Sequence, residues 1–201
     1  MALIVVPFRG ADANSRLGMP SEARRRLGLA MLGDVLEACA ESAETRLVSS
    51  DDEARAVAAA LGCDVAPDPG GGQGAAVAAA LAVVPSAPVA VVNADLPCAT
   101  PADVEAVLDA AQDAVALVAA RDGTTNALGL PAADVFAPLY GAGSAARFRA
   151  HAVALGLASV TVAAPNLIDD VDTVVDLRRV QERAGRRTRA AIDELVPSVA
   201  L

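Results

Sequence analysis

The sequence predicts an α/β fold, a three-layer α/β/α sandwich around a mainly parallel sheet. Short apolar runs alternate with longer helical patterns along its 201 residues, which is typical of parallel strands joined by helices. The run Val89–Val92 carries no polar side chain, as expected for a strand buried on both faces. It leads to Asp95 and then Pro97, which cannot extend a ladder. The chain shows no internal repeat or domain boundary, so we expect one domain over residues 1–201.

The first half of the chain is predicted to contain strand–helix pairs. Apolar runs indicate strands at Ala2–Pro7, Thr45–Ser49 and Cys63–Ala66. The following helices are expected at Ser21–Cys39, 52–61 and Ala75–Val83. Ser21 is a candidate N-cap of the first helix, and Asp51 or Asp52 of the second. A polar loop at 8–20 and a glycine-rich loop at 67–74 precede the first and third helices.

The second half continues the alternation. Strands are expected at Val89–Val92, Ala114–Ala120, Ala127–Leu130 and Ala158–Ala163. The predicted helices are Pro101–Ala111, Ala145–Leu155, 173–183 and Arg186–Leu195. Thr100, Ser144 and Thr173 are candidate N-caps, and Gly185 is expected to end the third of these helices.

Composition narrows the class of protein. The formal net charge is −9 and the sequence contains 16 arginines and no lysine, which argues against a nucleic-acid partner. No apolar stretch reaches the length of a membrane span. Three cysteines without metal-ligand spacing fit reduced core residues. We expect a cytoplasmic protein with no membrane or nucleic-acid partner, either a monomer or a homodimer.

Three carboxylates are candidates for a metal site. Asp95 follows the buried strand, and Asp170 and Asp172 follow a second apolar run. The carboxyl ends of strands in an open α/β sheet are where ligands bind. Clustered carboxylates suit Mg²⁺, which takes hard oxygen ligands. The alternatives are a solvated strand end for Asp95 and simple helix capping at 172–173.

Three loops have the composition of anion-binding segments. The loop at 8–20 contains Arg9 and Arg16, and the loop at 67–74 is rich in glycine. The segment 140–144 places glycines and Ser144 before a helix, where backbone N–H groups bind anions. The first loop could equally be a solvated turn, and the second a flexible connector.

Several motifs follow one another in a specific order between Val5 and about Leu177. They are VVPFRGADANSRL, SSDDE, CDVAPDPGGG, NADLP, GTTNALGL, YGAGSAARFRAH and DDVDTVVDL. This succession resembles the 2-phospho-L-lactate / phosphoenolpyruvate guanylyltransferase family of coenzyme F-420 biosynthesis. The resemblance implies a fold like the nucleotide-diphospho-sugar transferases (glycosyltransferase-A type). It also implies transfer of GMP from GTP to the phosphate of phosphoenolpyruvate or 2-phospho-L-lactate, with release of pyrophosphate.

The resemblance also implies roles for individual residues. It makes Mg²⁺ the cofactor and assigns catalysis to Arg16 and the three metal ligands Asp95, Asp170 and Asp172. Acceptor binding falls to Thr125, Asn126, Gly141 and Ser144. Nucleotide binding falls to Arg9, Arg16, Gly71, Gly72 and Gln73. The product would pass to an enzyme that adds the deazaflavin ring.

The chain departs from the family pattern at a few positions. Gln73 and Gly74 stand where the family commonly has Leu-Asn, and Arg9 and Asn14 stand at positions that are usually lysine. Two other readings therefore stay open. One is another nucleotidyltransferase, of the molybdopterin or sugar-phosphate type, with a different base. The other is a non-catalytic nucleotide-binding relic of the fold.

Overall fold

The computed structural model describes residues 2–10, 17–82 and 87–195, and within them one seven-stranded sheet forms the centre of the molecule. Its strands are β1 (Leu3–Pro7), β2 (Glu44–Val48), β3 (Asp64–Ala66), β4 (Val89–Val92), β5 (Val115–Ala119), β6 (Thr125–Leu130) and β7 (Ser159–Thr161). Their order is β3-β2-β1-β4-β6-β5-β7. Strand β6 runs antiparallel to β4 and β5, and the other neighbours are parallel. The prediction of a mainly parallel sheet is confirmed.

Helices connect these strands and cover both faces of the sheet. In the described ranges the α-helices are α1 (Ser21–Ser42), α2 (Asp52–Ala60), α3 (Gln73–Leu81), α4 (Pro101–Ala110), α5 (Ser144–Ala154), α6 (Val174–Val180) and α7 (Arg186–Leu195). Short 3-10 helices lie at Ala133–Val135 and Pro165–Leu167.

The three layers follow from the alternation of side chains along each strand. In β1, Ile4 and Val6 pack into a core with α1, α2 and α4, whereas Leu3 and Val5 pack into a core with α3 and α5. A third apolar cluster joins α1 to α6 and α7. Strands β1, β4 and β5 are buried on both faces, which explains their continuous apolar sequences. The edge strands β3 and β7 are instead exposed or half-buried.

Most of the predicted helix starts are confirmed. Asp51 accepts a hydrogen bond from the Ala54 N–H, and Thr100 accepts one from the Asp103 N–H. Thr173 and Asp176 form a capping box, in which each side chain accepts from the other's backbone N–H. The Ser21 cap is wrong, because Pro20 holds the N-cap position of α1 and no side-chain cap is made.

Several boundaries also differ from the prediction by a few residues, and two of these differences have a clear cause. Strand β6 begins at Thr125 rather than Ala127, because its antiparallel ladder with β5 continues to that residue. Helix α6 ends at Val180 rather than 183, so Gly185 does not end it. Instead the Gly185 N–H donates to the Pro97 carbonyl at 2.7 Å, just before α7. No helix in the described ranges is long and apolar enough to cross a membrane.

Candidate active site

The candidate site lies at the sheet edge where β1 and β4 end and β6 begins. Because β6 is antiparallel to β4, its first residues lie beside the residues that follow β4. The Asn93 N–H donates to the Asn126 carbonyl at 3.0 Å and so extends this pairing beyond the strand end. The topology therefore brings the 93–95 segment and the start of β6 to one point of the sheet.

Three aspartates meet at this point. One carboxylate oxygen from each of Asp95, Asp170 and Asp172 lies within 4.8 Å of the other two. The Val171 N–H donates to the Asp95 carbonyl at 3.1 Å, which fixes the two acidic segments against each other. The structure therefore brings together the three carboxylates that the sequence proposed as metal ligands.

Burial and mutual repulsion weaken the acidity of two of these carboxyl groups. Burial, together with the charges of Asp170 and Asp172, raises the pKa of Asp95 to about 7 against the opposing effect of a backbone hydrogen bond. Burial also raises the pKa of Asp170, with the Asp172 charge adding to the effect. The Asp95 Oδ1 is buried and makes no hydrogen bond to any described residue. Clustered oxygen donors of this kind fit Mg²⁺, whose charge would compensate theirs.

The next carboxylate along the chain has the opposite environment. Asp169 is 4% exposed and binds Arg121 at 2.5 Å and Arg183 at 2.9 Å, with Arg179 at 3.7 Å. The hydrogen bond from Arg121 lowers its pKa most, and Arg183 adds to the effect against the opposing influence of burial. We call Asp169 and these three arginines the arginine cluster. It anchors the segment that carries Asp170 and Asp172.

Asn126 also anchors that segment. Its side-chain amide donates to the carbonyls of Leu167 and Ile168 at 3.0 and 3.1 Å, and the residue is 1% exposed. The structure therefore gives this residue, predicted to bind the acceptor, a bracing contact directly before the acidic segment. Its Oδ1 is buried and makes no hydrogen bond to a described residue.

Thr125 and Ser144 form the wall opposite the aspartates. Their hydroxyl groups lie 2.9 Å apart, and both residues are buried. Helix α5 has Gly143, not Ser144, at its N-cap, so the predicted cap is wrong. The Ser144 hydroxyl is instead engaged with Thr125, while the Ser144 N–H donates to the Gly141 carbonyl at 2.9 Å.

A cavity of about 360 Å³ unites these groups. We call it the aspartate cavity. Its lining residues are Gln73, Asn93, Asp95, Asp122, Thr124, Thr125, Tyr140, Gly141, Ala142, Ser144, Asp170 and Asp172. All three aspartates and three of the four predicted acceptor residues thus share one space.

Two further cavities adjoin it on the side of the predicted nucleotide loops. The glycine-loop cavity, of about 580 Å³, is lined by Arg9, residues 71–75, Ala78, Pro138, Tyr140 and Gly141. The strand-end cavity, of about 190 Å³, is lined by residues 7–10, Gly28, Met31, Gln73 and residues 93–95. Arg9, Gly71, Gly72 and Gln73 therefore all line this side. Arg16 lies outside the described residues.

Comparison with known proteins identifies the family. The model of the MobA-like NTP transferase domain matches residues 10–164. The chain belongs to this family. Among curated members it is 40% identical to the phosphoenolpyruvate guanylyltransferase of Streptomyces avermitilis, over 96% of this chain and 94% of that protein.

Relatives with other acceptors in their names are nearly as similar to this MobA-like NTP transferase. The 3-phospho-D-glycerate guanylyltransferase of Phenylobacterium zucineum is 34% identical, over 97% of both chains. The 2-phospho-L-lactate guanylyltransferase of Halobacterium salinarum is 36% identical, over 97% of this chain and 96% of that protein. The resemblance read from the motifs is confirmed.

Solved structures agree on the fold of this MobA-like NTP transferase. A crystal structure from Desulfovibrio desulfuricans, assigned as a nucleotide-diphospho-sugar transferase, superposes with a TM-score of 0.78. It covers 96% of this chain and 94% of that chain at 19% identity. The predicted similarity of fold to nucleotide-diphospho-sugar transferases is confirmed.

Sequence reasoning left several lining residues of this MobA-like NTP transferase without a role. Asn93 lies within the NADLP motif, two residues before Asp95, and the position after a buried strand was the available signal. Tyr140 and Asp122 also line the aspartate cavity. Neither has a comparable signal, because only the fold brings the loops that carry them to this edge.

Proposed function

We propose that this protein transfers GMP from GTP to the phosphate of a three-carbon phosphorylated acid, with phosphoenolpyruvate as the acceptor. The observation that carries the proposal is the convergence of Asp95, Asp170 and Asp172 in the aspartate cavity, which the glycine-loop and strand-end cavities adjoin. One side offers Arg9 and glycine backbone to a nucleotide, and the other offers Thr125 and Ser144 to a small anion. The names of the guanylyltransferase relatives support this assignment.

The proposed reaction is a displacement at the α-phosphorus of GTP. An oxygen of the acceptor phosphate forms the new P–O bond, the α–β phosphoanhydride bond breaks, and pyrophosphate leaves with that electron pair. A phosphate monoester has a second pKa of about 6, so the attacking group is already ionised at neutral pH. The protein then has no proton to remove. Its task is to align two anions and offset their repulsion.

Each group of residues has a part in that task. The three aspartates would hold Mg²⁺, which when bound supplies positive charge to the phosphate oxygens on both sides. Thr125, Ser144 and the Gly141 segment would hold the acceptor through hydroxyl and backbone groups. Arg9 would bind the triphosphate through its forked guanidinium, together with Arg16. Asn126 would keep the segment before Asp170 in place through its bonds to the Leu167 and Ile168 carbonyls.

The transfer experiment separates the possible substrates. The protein would be incubated with Mg²⁺, GTP and phosphoenolpyruvate, 2-phospho-L-lactate or 3-phospho-D-glycerate in turn, with CTP and ATP replacing GTP as controls. We expect pyrophosphate release and a GMP-bearing product, strongest with GTP and phosphoenolpyruvate. Transfer from CTP would favour another nucleotidyltransferase. Binding of GTP without pyrophosphate release with any acceptor would indicate a non-catalytic protein.

The Mg²⁺ requirement has a test that does not depend on turnover. A ligand that binds only the folded state raises its stability, by about 2.7 kcal/mol at a concentration of 100 Kd. We expect Mg²⁺ to raise the melting temperature of the chelator-treated protein and not that of Asp95→Asn. An equal rise in melting temperature in both proteins would contradict the assignment of Asp95 as a Mg²⁺ ligand.

The proposal also extends to the pathway. We infer that the product serves coenzyme F-420 biosynthesis in the cytoplasm, where an enzyme that adds a deazaflavin ring would consume it. The motif resemblance supports this inference. Supplying the reaction product to such an enzyme, and detecting the deazaflavin adduct by mass spectrometry, is the direct test.

A further inference from the structure

A chain of hydrogen bonds joins the two sides of the candidate active site. The Gln73 Nε2 donates to the Asn93 Oδ1 at 2.7 Å, and the Asn93 Nδ2 donates to the Thr125 carbonyl at 3.2 Å. The Thr125 hydroxyl then meets the Ser144 hydroxyl at 2.9 Å. The contacts therefore run from Gln73, which follows the glycines at 70–72, to the Thr125–Ser144 pair.

The chemistry of the amide groups gives this chain a direction. An Asn side chain has one carbonyl acceptor and one NH₂ donor, and only one orientation satisfies both of its neighbours here. Because Gln73 donates to the carbonyl of Asn93, the Asn93 NH₂ group faces the Thr125 carbonyl. A flipped Asn93 would place NH₂ against NH₂ and carbonyl against carbonyl. The Thr125 carbonyl, which can only accept, requires this orientation of Asn93, and the bond from Gln73 to the Asn93 carbonyl holds the side chain in it.

The position of Gln73 is itself fixed by its neighbour in the sequence. A Cβ atom on Gly74 would lie 2.7 Å from the Pro138 Cβ, a distance that real contacts do not show. The missing side chain lets Pro138 pack directly against the first turn of α3. Gln73 consequently lies where all three cavities meet, and it lines each of them. Gly74 therefore has a packing role, which explains this departure from the family pattern.

We propose that Gln73 is a positioning residue for the acceptor: it lies where the nucleotide-side cavities meet the aspartate cavity, and it acts on the acceptor through Asn93 and Thr125. The proposal rests on the function proposed above and adds a residue that sets the affinity for the second substrate. A direct contact of Gln73 with the guanine or ribose alone would make a different prediction, because only the nucleotide affinity would then depend on it.

Steady-state kinetics distinguish these two roles. Gln73→Met keeps the length of the side chain and removes its hydrogen bond. We expect the KM for the acceptor to rise about five- to tenfold, as for the loss of one hydrogen bond, while the KM for GTP changes less than about twofold. Gln112→Met is the matched control, since Gln112 is exposed and lines a separate groove. It should leave both values unchanged.

A double-mutant cycle tests whether Gln73 acts through Asn93. Asn93→Ala should itself raise the acceptor KM, and adding Gln73→Met to it should cause no further rise, because the intermediary is already gone. Additive effects of the two changes would overturn the proposal. So would an acceptor KM that stays within about twofold of wild type in Gln73→Met while the GTP KM rises.

Nuclear magnetic resonance separates failure of this proposal from failure of the proposed function. If the wild-type protein transfers no GMP, the proposed function fails, but the contacts can still be measured. In ¹⁵N-labelled protein we expect Gln73→Met, and not Gln112→Met, to shift the side-chain NH₂ signals of Asn93 and the backbone amide signals of Thr125 and Asn126. Unchanged signals in a folded Gln73→Met protein would overturn the proposal. Should that variant not fold, Gln73→Ala replaces it.

Discussion

Two neighbouring acidic groups at the same edge of the sheet have opposite environments. Asp169 is surrounded by Arg121, Arg179 and Arg183, and its bonds to Arg121 and Arg183 hold its pKa below the usual range. Asp170, the next residue, faces Asp95 and Asp172, and its pKa is raised by burial and by the charge of Asp172. The first carboxylate is neutralised by the protein itself. The second belongs to a group of three carboxylates whose combined negative charge favours the binding of a cation.

This difference shows that the short segment 169–172 contributes both to the stability of the fold and to the candidate active site. The two consecutive side chains have different surroundings: Asp169 binds Arg121 and Arg183, while Asp170 lines the aspartate cavity. The arginine cluster holds this segment in place, and Asp170 and Asp172 are thereby kept close to Asp95. Substitutions in the two clusters should therefore have different effects, and the following predictions rank them.

The largest expected effect is a loss of activity when one of the three clustered aspartates, Asp95, Asp170 or Asp172, is replaced. Asp95→Asn should reduce the proposed transfer by roughly 10³-fold or more, because one metal ligand and its charge are lost. Folding should be retained, since the substitution removes a buried carboxylate from between two others. Pyrophosphate release and circular dichroism measure the two quantities. Retained turnover in a folded Asp95→Asn protein would contradict the assigned role.

The second largest effect is a loss of stability when the carboxylate of the arginine cluster is removed. Asp169→Ala should lower the free energy of unfolding by about 2 kcal/mol, because a buried acceptor of charged hydrogen bonds is lost while its arginine partners remain partly in water. Urea unfolding gives the value. Asp109→Ala, at an exposed position of α4, is the control and should change stability by less than about 0.5 kcal/mol.

The third prediction concerns pH in the presence of a chelator. The folded protein keeps a proton on Asp95 up to about pH 7, whereas the unfolded chain releases it near an ordinary pKa of about 3.9. Metal-free wild type should therefore lose stability relative to Asp95→Asn as the pH rises from about 4 to about 7. Urea unfolding of both proteins across this range is the measurement. Parallel pH profiles would show that Asp95 titrates normally.

Asp169 should contribute with the opposite sign. Its lowered pKa means that its stabilisation is present above an ordinary pKa of about 3.9 and is lost as the pH falls below that value. When the unfolding series is extended below about pH 3.9, the difference between wild type and Asp169→Ala should shrink as the pH falls. A constant difference across the series would mean that the arginines do not shift the Asp169 titration.

The smallest effect is expected from the exposed arm of the arginine cluster. The Arg121 side chain is 61% exposed, so water screens most of its attraction for Asp169. Arg121→Ala should cost no more than about 1 kcal/mol of stability, clearly less than Asp169→Ala. A loss equal to that of Asp169→Ala would mean that this single arginine carries the whole cluster.

The sequence by itself determined the layers of the fold and the main chemistry of the candidate site. Uninterrupted apolar runs such as Val89–Val92 predict doubly buried strands, because a strand with no polar side chain cannot face water. Carboxylates after two apolar runs predicted the meeting of Asp95 with the 170–172 segment. The second run, however, is the 3-10 helix Pro165–Leu167 and not a buried strand. Local signals also predicted the caps at Thr100 and Thr173, since a cap depends on residues within one helical turn.

Only the tertiary structure decided what depends on distant parts of the chain. The start of β6 at Thr125 comes from its ladder with β5, and the bracing contacts of Asn126 come from the 165–168 segment, about forty residues away. The Ser144 hydroxyl was predicted to cap its own helix, yet it pairs with the Thr125 hydroxyl at the start of β6. The sequence shows which hydrogen-bond donors and acceptors are present, but only the folded chain determines which of them form bonds with each other.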